Sequence, residues 1–372
     1  MRSSDGSTPL PPQVAEAIVD RARELGFALA GVIPARPTDH EAELRAWLAR
    51  GEHGSMHYLE EHADLRVDPS RVLRGCRSVI LAADQYAARP AADVPRAPGR
   101  GRVARYARGD DYHKVLTKRL HTLADELRLD HPSADFRAFC DTAPILEREH
   151  AARAGLGWIG KHTLLIHPRR GSYLLLGGVL TTLDLTPPRT QRQTPDRCGS
   201  CTRCIDACPT DAITPYSVDA SKCISYLTIE RRGPIDEPFH EPIGEWLFGC
   251  DICQEVCPHN SARDRIPVGR AHPAYAERRD SFDLLEVLGW TEADRRSAFE
   301  RSALKRAKLG MMRRNAVIAA ANALADHDLP ELRARITSIA RDPDEEPIVR
   351  EAARAAVGRL ERTGEGPGPR SP

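Results

Sequence analysis

The sequence contains no run of 18 apolar residues, so hydropathy offers no membrane-spanning helix. Nor does it open on a basic-then-apolar leader, because residues 1–13 are polar and proline-rich. The chain is therefore expected to be soluble, unexported and cytoplasmic, with no membrane partner. A formal net charge of only +1 gives it no global field with which to hold an anionic partner. Any such affinity must come from local patches, and there are two. Residues 96–108 carry Arg96, Arg100, Arg102, Arg105 and Arg108 with no acid. Residues 295–314 carry Arg295, Arg296, Arg301, Lys305, Arg306, Lys308, Arg313 and Arg314 against the single Glu300.

What the chain does have is length and cysteine. Its 372 residues, 41% of them hydrophobic, can bury real cores and suit two or three domains. Ten cysteines in an unexported chain are poor candidates for disulfides, because the cytosol keeps thiols reduced. Metal or cluster ligation is the better expectation.

Residues 1–185 alternate helical and extended patterns, which predicts an α/β domain. Val14, Ile18, Ala22 and Leu25 keep helical spacing up to Gly26, residues 27–33 and 78–82 read as short buried strands, and residues 111–129 read as a long helix. Residues 136–140 form a strand pattern that runs into Asp141 and ends at Pro144, with a helix expected over residues 146–154. Residues 164–166 and 173–180 flank a Pro-Arg-Arg-Gly turn and read as a hairpin. Asp141 is thus expected at a strand end, the edge where α/β sheets hold ligands.

A proline-rich linker leads into a cysteine-rich domain at 186–265. A third region, 280–362, is expected to be helical. There RNAVIAAANAL at 314–324 is echoed by REAARAAVGRL at 350–360, an offset of 36 residues that suits stacked two-helix repeats, and Pro330 opens an intervening helix. Residues 363–372 read as a frayed tail. The fold class is α+β multidomain.

The segment Cys198-x2-Cys201-x2-Cys204-x3-Cys208-Pro209 is the bacterial ferredoxin run, in which three cysteines hold one cluster and the fourth crosses to another. Cys250-x2-Cys253-x3-Cys257-Pro258 supplies most of the second half, with its first cysteine displaced upstream to Cys223. By ferredoxin pairing, one [4Fe–4S] cluster takes Cys198, Cys201, Cys204 and Cys257, and the other takes Cys208, Cys223, Cys250 and Cys253. A four-cysteine zinc site would leave the first run over-supplied with close thiols. Cys76 and Cys140 fall outside both sets and are expected to be small buried hydrophobes.

Four further runs, RYARGDDYH at 105–113, DTAPILER at 141–148, GLGWIGKH at 155–162 and CISYLTI at 223–229, carry a resemblance together with the two cysteine motifs. Together they resemble the epoxyqueuosine reductase family over residues 10–360. The resemblance implies an N-terminal α/β cobalamin-binding domain, a ferredoxin-like domain with two [4Fe–4S] clusters, and a C-terminal HEAT-like helical repeat domain that docks tRNA. It implies reduction of the epoxide of epoxyqueuosine to queuosine at the wobble position of tRNA, by a monomer fed by a separate electron donor. In that reading Asp141 is the proton donor, with its pKa raised by shelter. Arg66 and Ser225 contact cobalamin, joined by Tyr106, Lys161 and His162. Arg313 and Arg314, with Lys305, Arg306 and Lys308, meet the RNA backbone while the 96–108 loop stands at the pocket mouth.

Two departures bear on the cofactor. Ala104 stands where some members have a cysteine, so no thiolate can reach cobalt from that position. The corrinoid signature Asp-x-His-x-x-Gly is missing, since Leu116 follows Asp111-Tyr-His113 where glycine belongs, so cobalt is expected to have no histidine ligand. Competing readings are a reductive-dehalogenase-like corrinoid enzyme, a ferredoxin-type electron carrier and a helical-repeat scaffold that binds nucleic acid. The first lacks its usual twin-arginine leader here, the second leaves the first ~185 residues without a use, and the third leaves the clusters unexplained.

Overall fold

The computed structural model describes residues 8–87, 97–260 and 271–364. Strand Ser78–Gln85 is buried at every position because both of its faces are covered. Ile80 and Ala82 point into one core with helices Pro12–Glu24 and Tyr112–Asp130, while Val79, Leu81 and Ala83 point into another with helix Glu147–Arg153. That period of two is what a strand imposes.

The sheet around it has the order Leu29–Pro34, Ser78–Gln85, Leu174–Thr181, Phe136–Phe139, and every pairing is antiparallel. The alternation of helix and strand therefore yields a covered antiparallel sheet, and the rule placing ligands at the strand ends of parallel sheets does not apply. Asp141 still follows a strand end, two residues beyond Phe139. The expected hairpin closes only at its turn, by an antiparallel bridge between His167 and Gly171, and its two strands do not pair. Leu165–Ile166 pairs with Trp158–Ile159, and Leu174–Thr181 runs between two other strands. The longer run is apolar on both faces, with Leu175, Val179 and Leu180 all buried, which suits an interior strand with cores on both sides.

A second sheet joins distant parts of the chain. Strand Arg100–Val103 lies between Trp246–Phe248, parallel to it, and Ser281–Asp283, antiparallel. The largest core continues from Val103 through Trp246, Leu247 and Phe248 to Met312, Ala316 and Ala353. The helices Leu309–Asp326, Pro330–Arg341 and Pro347–Gly364 close this core, and the echoed segments lie on the first and third of them, which pack on each other. No helix among the described residues is long and apolar enough to cross a membrane.

Much of the basic character of the patches is turned into the fold, which corrects their expected use. Arg314 is wholly buried, and its guanidinium donates to the carbonyls of Leu227 (2.9 Å), Arg231 (2.8 Å) and Gly233, and to Asn315 Oδ1. Leu227 belongs to helix Ile224–Ile229, so Arg314 satisfies a carbonyl in its last turn and others just beyond it. Burial pushes the guanidinium down to about 9. Arg313 is held by Glu345 through bonds of 2.8 and 2.5 Å, and by the Leu288 carbonyl. Neither residue is free to meet a phosphate. In the other patch Arg102 bonds Glu255, and buried Arg108 bonds Glu277 and the Val103 carbonyl. Arg96 lies outside the described residues.

Replacing Arg314 by Met should therefore act on stability. Three carbonyls would be left without their donor, at a cost on the order of 3 kcal/mol or more. A denaturant melt should show that loss, with Arg296→Met, at an exposed position, as an unchanged control.

Candidate active site and cluster sites

The turn after strand Phe136–Phe139 puts Asp141 at φ +54, a left-handed conformation that a non-glycine residue holds only when its surroundings fix it. Three side chains do so. The Asp141 amide donates to Glu147 Oε1 at 2.7 Å. Its Oδ2 accepts the Tyr112 hydroxyl at 2.9 Å and lies 2.9 Å from His113 Nε2. Tyr112 and His113 open helix Tyr112–Asp130, whose N-cap Asp111 takes the His113 amide and stands 2.8 Å from His113 Nδ1. The His113 ring also stacks on Tyr112 at 3.9 Å between centroids. The helix Glu147–Arg153 receives no side-chain cap, so Asp141 is not its N-cap.

The charges follow from this geometry. Burial disfavours a charged His113, but the bonds to Asp111 and Asp141 and their negative charge win, raising it to about 9. It is an imidazolium at neutral pH. Burial likewise raises Asp141, yet the bond and charge of His113, the Tyr112 hydroxyl and the charge of Arg306 outweigh it and hold the carboxyl below its ordinary value. The expected rise for Asp141 is thus not what its cationic surroundings produce. The raised carboxyl is its neighbour Glu147, pushed up to about 8 by burial and by the Asp141 charge.

Other members of the cleft are recognisable by the charges they feel. Arg66, 9% exposed, has no partner for its Nε, and burial lowers it while Tyr58, Glu147 and Asp141 stand nearby. Tyr106 lies edge-on to Tyr112 at 5.9 Å and feels both Asp141 and Asp251. Arg306 bonds Glu230 twice at 2.8 Å and is close enough to Tyr58 and Asp141 to share their field. It sits at the rim of this cleft, with Lys305 and Lys308 exposed beside it. Ser225 is half-buried on helix Ile224–Ile229, one residue beyond Ile224.

Lys161 and His162 are placed differently. The Lys161 ammonium donates to the carbonyls of Gly199 (2.7 Å) and Cys201 (3.0 Å), so it clamps the first cysteine loop and is not free to contact cobalamin. His162 is 3% exposed, kept neutral by burial that pushes it down to about 4, with Nε2 lacking a partner.

The eight motif cysteines fall into two neighbourhoods. The Cys257 thiol is pushed up to about 11 by burial and by nearby Cys198, Cys204 and Cys201. Burial also raises Cys250, which feels Cys223 and Cys208, and Cys253, which feels Cys250, Cys223 and, from the other neighbourhood, Cys204. Crowded, desolvated thiols of this kind suit a cluster that takes them as thiolates. All ten cysteines are free of disulfides, and Cys76 and Cys140 are buried in the cores. Gly249, at φ +72, precedes Cys250, and a Cβ there would lie 2.5 Å from that of Ala104. The second neighbourhood is thereby drawn against the Tyr106 turn.

Comparison with known proteins decides the family. The model described as "4Fe-4S double cluster binding domain" matches residues 197–260, and that of "Epoxyqueuosine reductase QueG, DUF1730" matches 66–142. The epoxyqueuosine reductase of Pseudomonas aeruginosa is 39% identical over 320 residues, covering 85% of this chain and 88% of the relative. That of Burkholderia pseudomallei is 39% identical over 93% of this chain and 91% of its own. The chain belongs to the epoxyqueuosine reductase family. Among solved family structures, one with an epoxyqueuosine-modified tRNA-Tyr stem loop superposes with a TM-score of 0.81 at 28% identity, covering 96% of this chain and 95% of that one. A Bacillus subtilis structure, described with its catalytic aspartate loop swung out of the active site, gives 0.80 at 28% identity over 94% and 90% of the two chains. The cysteine-rich region of this family member is a double 4Fe–4S binding domain.

Tyr112, His113 and Glu147 all lie in runs that stand out in the sequence, yet nothing there assigns them to Asp141. Spacing along one chain carries no signal for a pairing across 28 residues.

Reconstituted protein should hold about eight irons and eight labile sulfides. Cys223→Ala should lose about half of the iron, and Cys76→Ala none. Full iron in the first variant, or loss in the second, would break the ligand sets.

Proposed function

We propose that this chain reduces the epoxide of epoxyqueuosine to queuosine at the wobble position of tRNA. The observation that carries this reading is Asp141, pinned in a left-handed turn by His113, Tyr112 and Glu147, in a cleft that reaches the second cysteine neighbourhood through Tyr106. The named activity of its 39%-identical relatives and the stem-loop complex of a structural neighbour support it.

The chemistry needs two electrons and two protons: both C–O bonds break, a C=C bond forms, and the oxygen leaves as water. Two [4Fe–4S] clusters suit one-electron delivery, with Cys198, Cys201, Cys204 and Cys257 on one and Cys208, Cys223, Cys250 and Cys253 on the other. An external electron donor would load them.

Cobalamin fits the cleft by one test: Arg66 is buried with an unpartnered Nε, a group that a bound polar ligand would satisfy. Arg66, Ser225 and Tyr106 would hold it. When bound, it supplies an electron-rich metal centre for the epoxide carbon. Both ring nitrogens of His113 are already engaged by carboxylates, so His113 is not free to ligate the metal. The residues themselves handle the oxygen. Asp141, fed by the His113 imidazolium, is the acid that keeps it from leaving as a bare alkoxide. The catalytic loop swung out in the Bacillus subtilis protein fits an acid mounted on a turn, as here.

Lys305 and Lys308, exposed at the cleft rim beside the Arg306 that Glu230 already holds, would meet the RNA backbone, and the C-terminal helices would form a HEAT-like support behind them. The chain would act as a cytoplasmic monomer.

Anaerobic incubation with epoxyqueuosine-containing tRNA, with and without added cobalamin, followed by nucleoside mass analysis, tests the reaction. Queuosine should form only with cobalamin, and its complete absence would reject the assignment. Replacing Lys305 and Lys308 by Gln should weaken tRNA binding and lessen its salt slope by about one for each phosphate no longer neutralised. Arg313→Met should leave the slope unchanged.

A further inference from the structure

The reduction consumes two protons, and the cleft holds two acidic sites in contact with one turn of chain. We propose that it stores both protons ahead of turnover, one shared between Asp141 and His113 and the other on the Glu147 carboxyl. The proposal rests on the reductase reading above and names the source of each proton.

The geometry sets the pair apart from an ordinary carboxylate cluster. Glu147 Oε1 receives the Asp141 amide at 2.7 Å, so the two carboxyls are tied through Asp141's own backbone. On its other side Asp141 is bonded to Tyr112 and His113, and His113 is anchored in turn to Asp111. The groups facing Glu147 are Asp141 on the turn, Arg148 on its own helix and Arg66 on helix Ala63–Arg66. Those facing His113 are Asp111 and Asp141, and Arg306 faces Asp141 from the rim. Burial and the Asp141 charge keep Glu147 protonated up to about pH 8, against the Asp141 amide bond and the opposing arginines. His113 carries the second proton, bound to an ionised Asp141. Two neighbouring carboxyls driven in opposite directions are the pattern by which a site divides acid duties.

The proton balance then closes. As an electron pair reaches carbon and the first C–O bond breaks, the oxygen takes the proton of the Asp141–His113 pair and becomes a hydroxyl. As the second C–O bond breaks and the double bond closes, that hydroxyl takes the Glu147 proton and leaves as water. The two electrons come through the clusters.

Glu147→Gln is the informative variant, because its amide oxygen still accepts the Asp141 N–H while the transferable proton is gone. Infrared difference spectra of the full, cluster-loaded chain between about pH 6.5 and about pH 9.5 should show a protonated carboxyl lost on raising pH. The signal should be missing from the Gln variant. In single-turnover reduction that variant should fall by about 10² and lose the alkaline decline near pH 8, with cluster absorption unchanged. A carboxyl signal that persists in the variant, or a wild-type rate at every pH, would overturn the proposal. The infrared measurement needs no substrate. Wild-type protein with the signal but no epoxide reduction would therefore count against the reductase reading alone.

Discussion

Asp251 is wholly buried between two cysteines of the second set and accepts the main-chain N–H of Arg105 at 2.7 Å. Much of the architecture turns on that bond. It anchors the turn that presents Tyr106 to the helix Ile252–Glu255, so the cleft and the cysteines cannot move independently. Strand Arg100–Val103, just upstream, is gripped by strands on both sides, one of them from the segment leading into those cysteines. Burial pushes the Asp251 carboxyl up to about 6, opposed by the Arg105 amide and by the charges of Arg108 and Arg105. An acid so placed is tolerated because it is bonded, and removing its partner would leave a costly buried charge.

The same need to partner every buried polar group explains why Arg102, Arg108, Arg313 and Arg314 serve the fold. A guanidinium offers five donors in a fixed fork and satisfies several carbonyls at once, which is what Arg314 does beyond helix Ile224–Ile229. What remains for a polyanion is a narrower set at the cleft rim, near the acid that it would deliver a base to. On the proposed reading, recognition and chemistry share one edge of the molecule.

How much of this is legible in the sequence depends on how local each constraint is. Cluster ligands are set by spacers of two or three residues, so two sets of four can be written down without the fold, while the fold adds that these thiols are desolvated and crowd one another. Helices Pro12–Glu24, Tyr112–Asp130 and Pro330–Arg341 follow from apolar periodicity. Strand pairing does not, because Leu174–Thr181 and Leu165–Ile166 look like partners until the burial of both faces of the longer one is known. Arginine in a basic run reads as surface charge, and only the carbonyls around Arg314 reveal otherwise. Lys161 reads as a pocket residue for the same reason: its partners, Gly199 and Cys201, are 38 and 40 residues away. His113 joins Asp141 across 28 residues, and without that cation shelter alone would push the Asp141 carboxyl the opposite way.

The proposed mechanism stands most directly on Asp141 as the group that hands a proton to the epoxide oxygen. Asn at that position keeps the size and can keep the Tyr112 bond, but has no acidic proton to give. Single-turnover reduction of epoxyqueuosine-containing tRNA by pre-reduced Asp141→Asn protein isolates the chemical step from electron delivery. The rate should be lower by a factor on the order of 10² to 10⁴, with clusters and tRNA affinity retained. A rate close to that of the wild type would contradict the role given to Asp141.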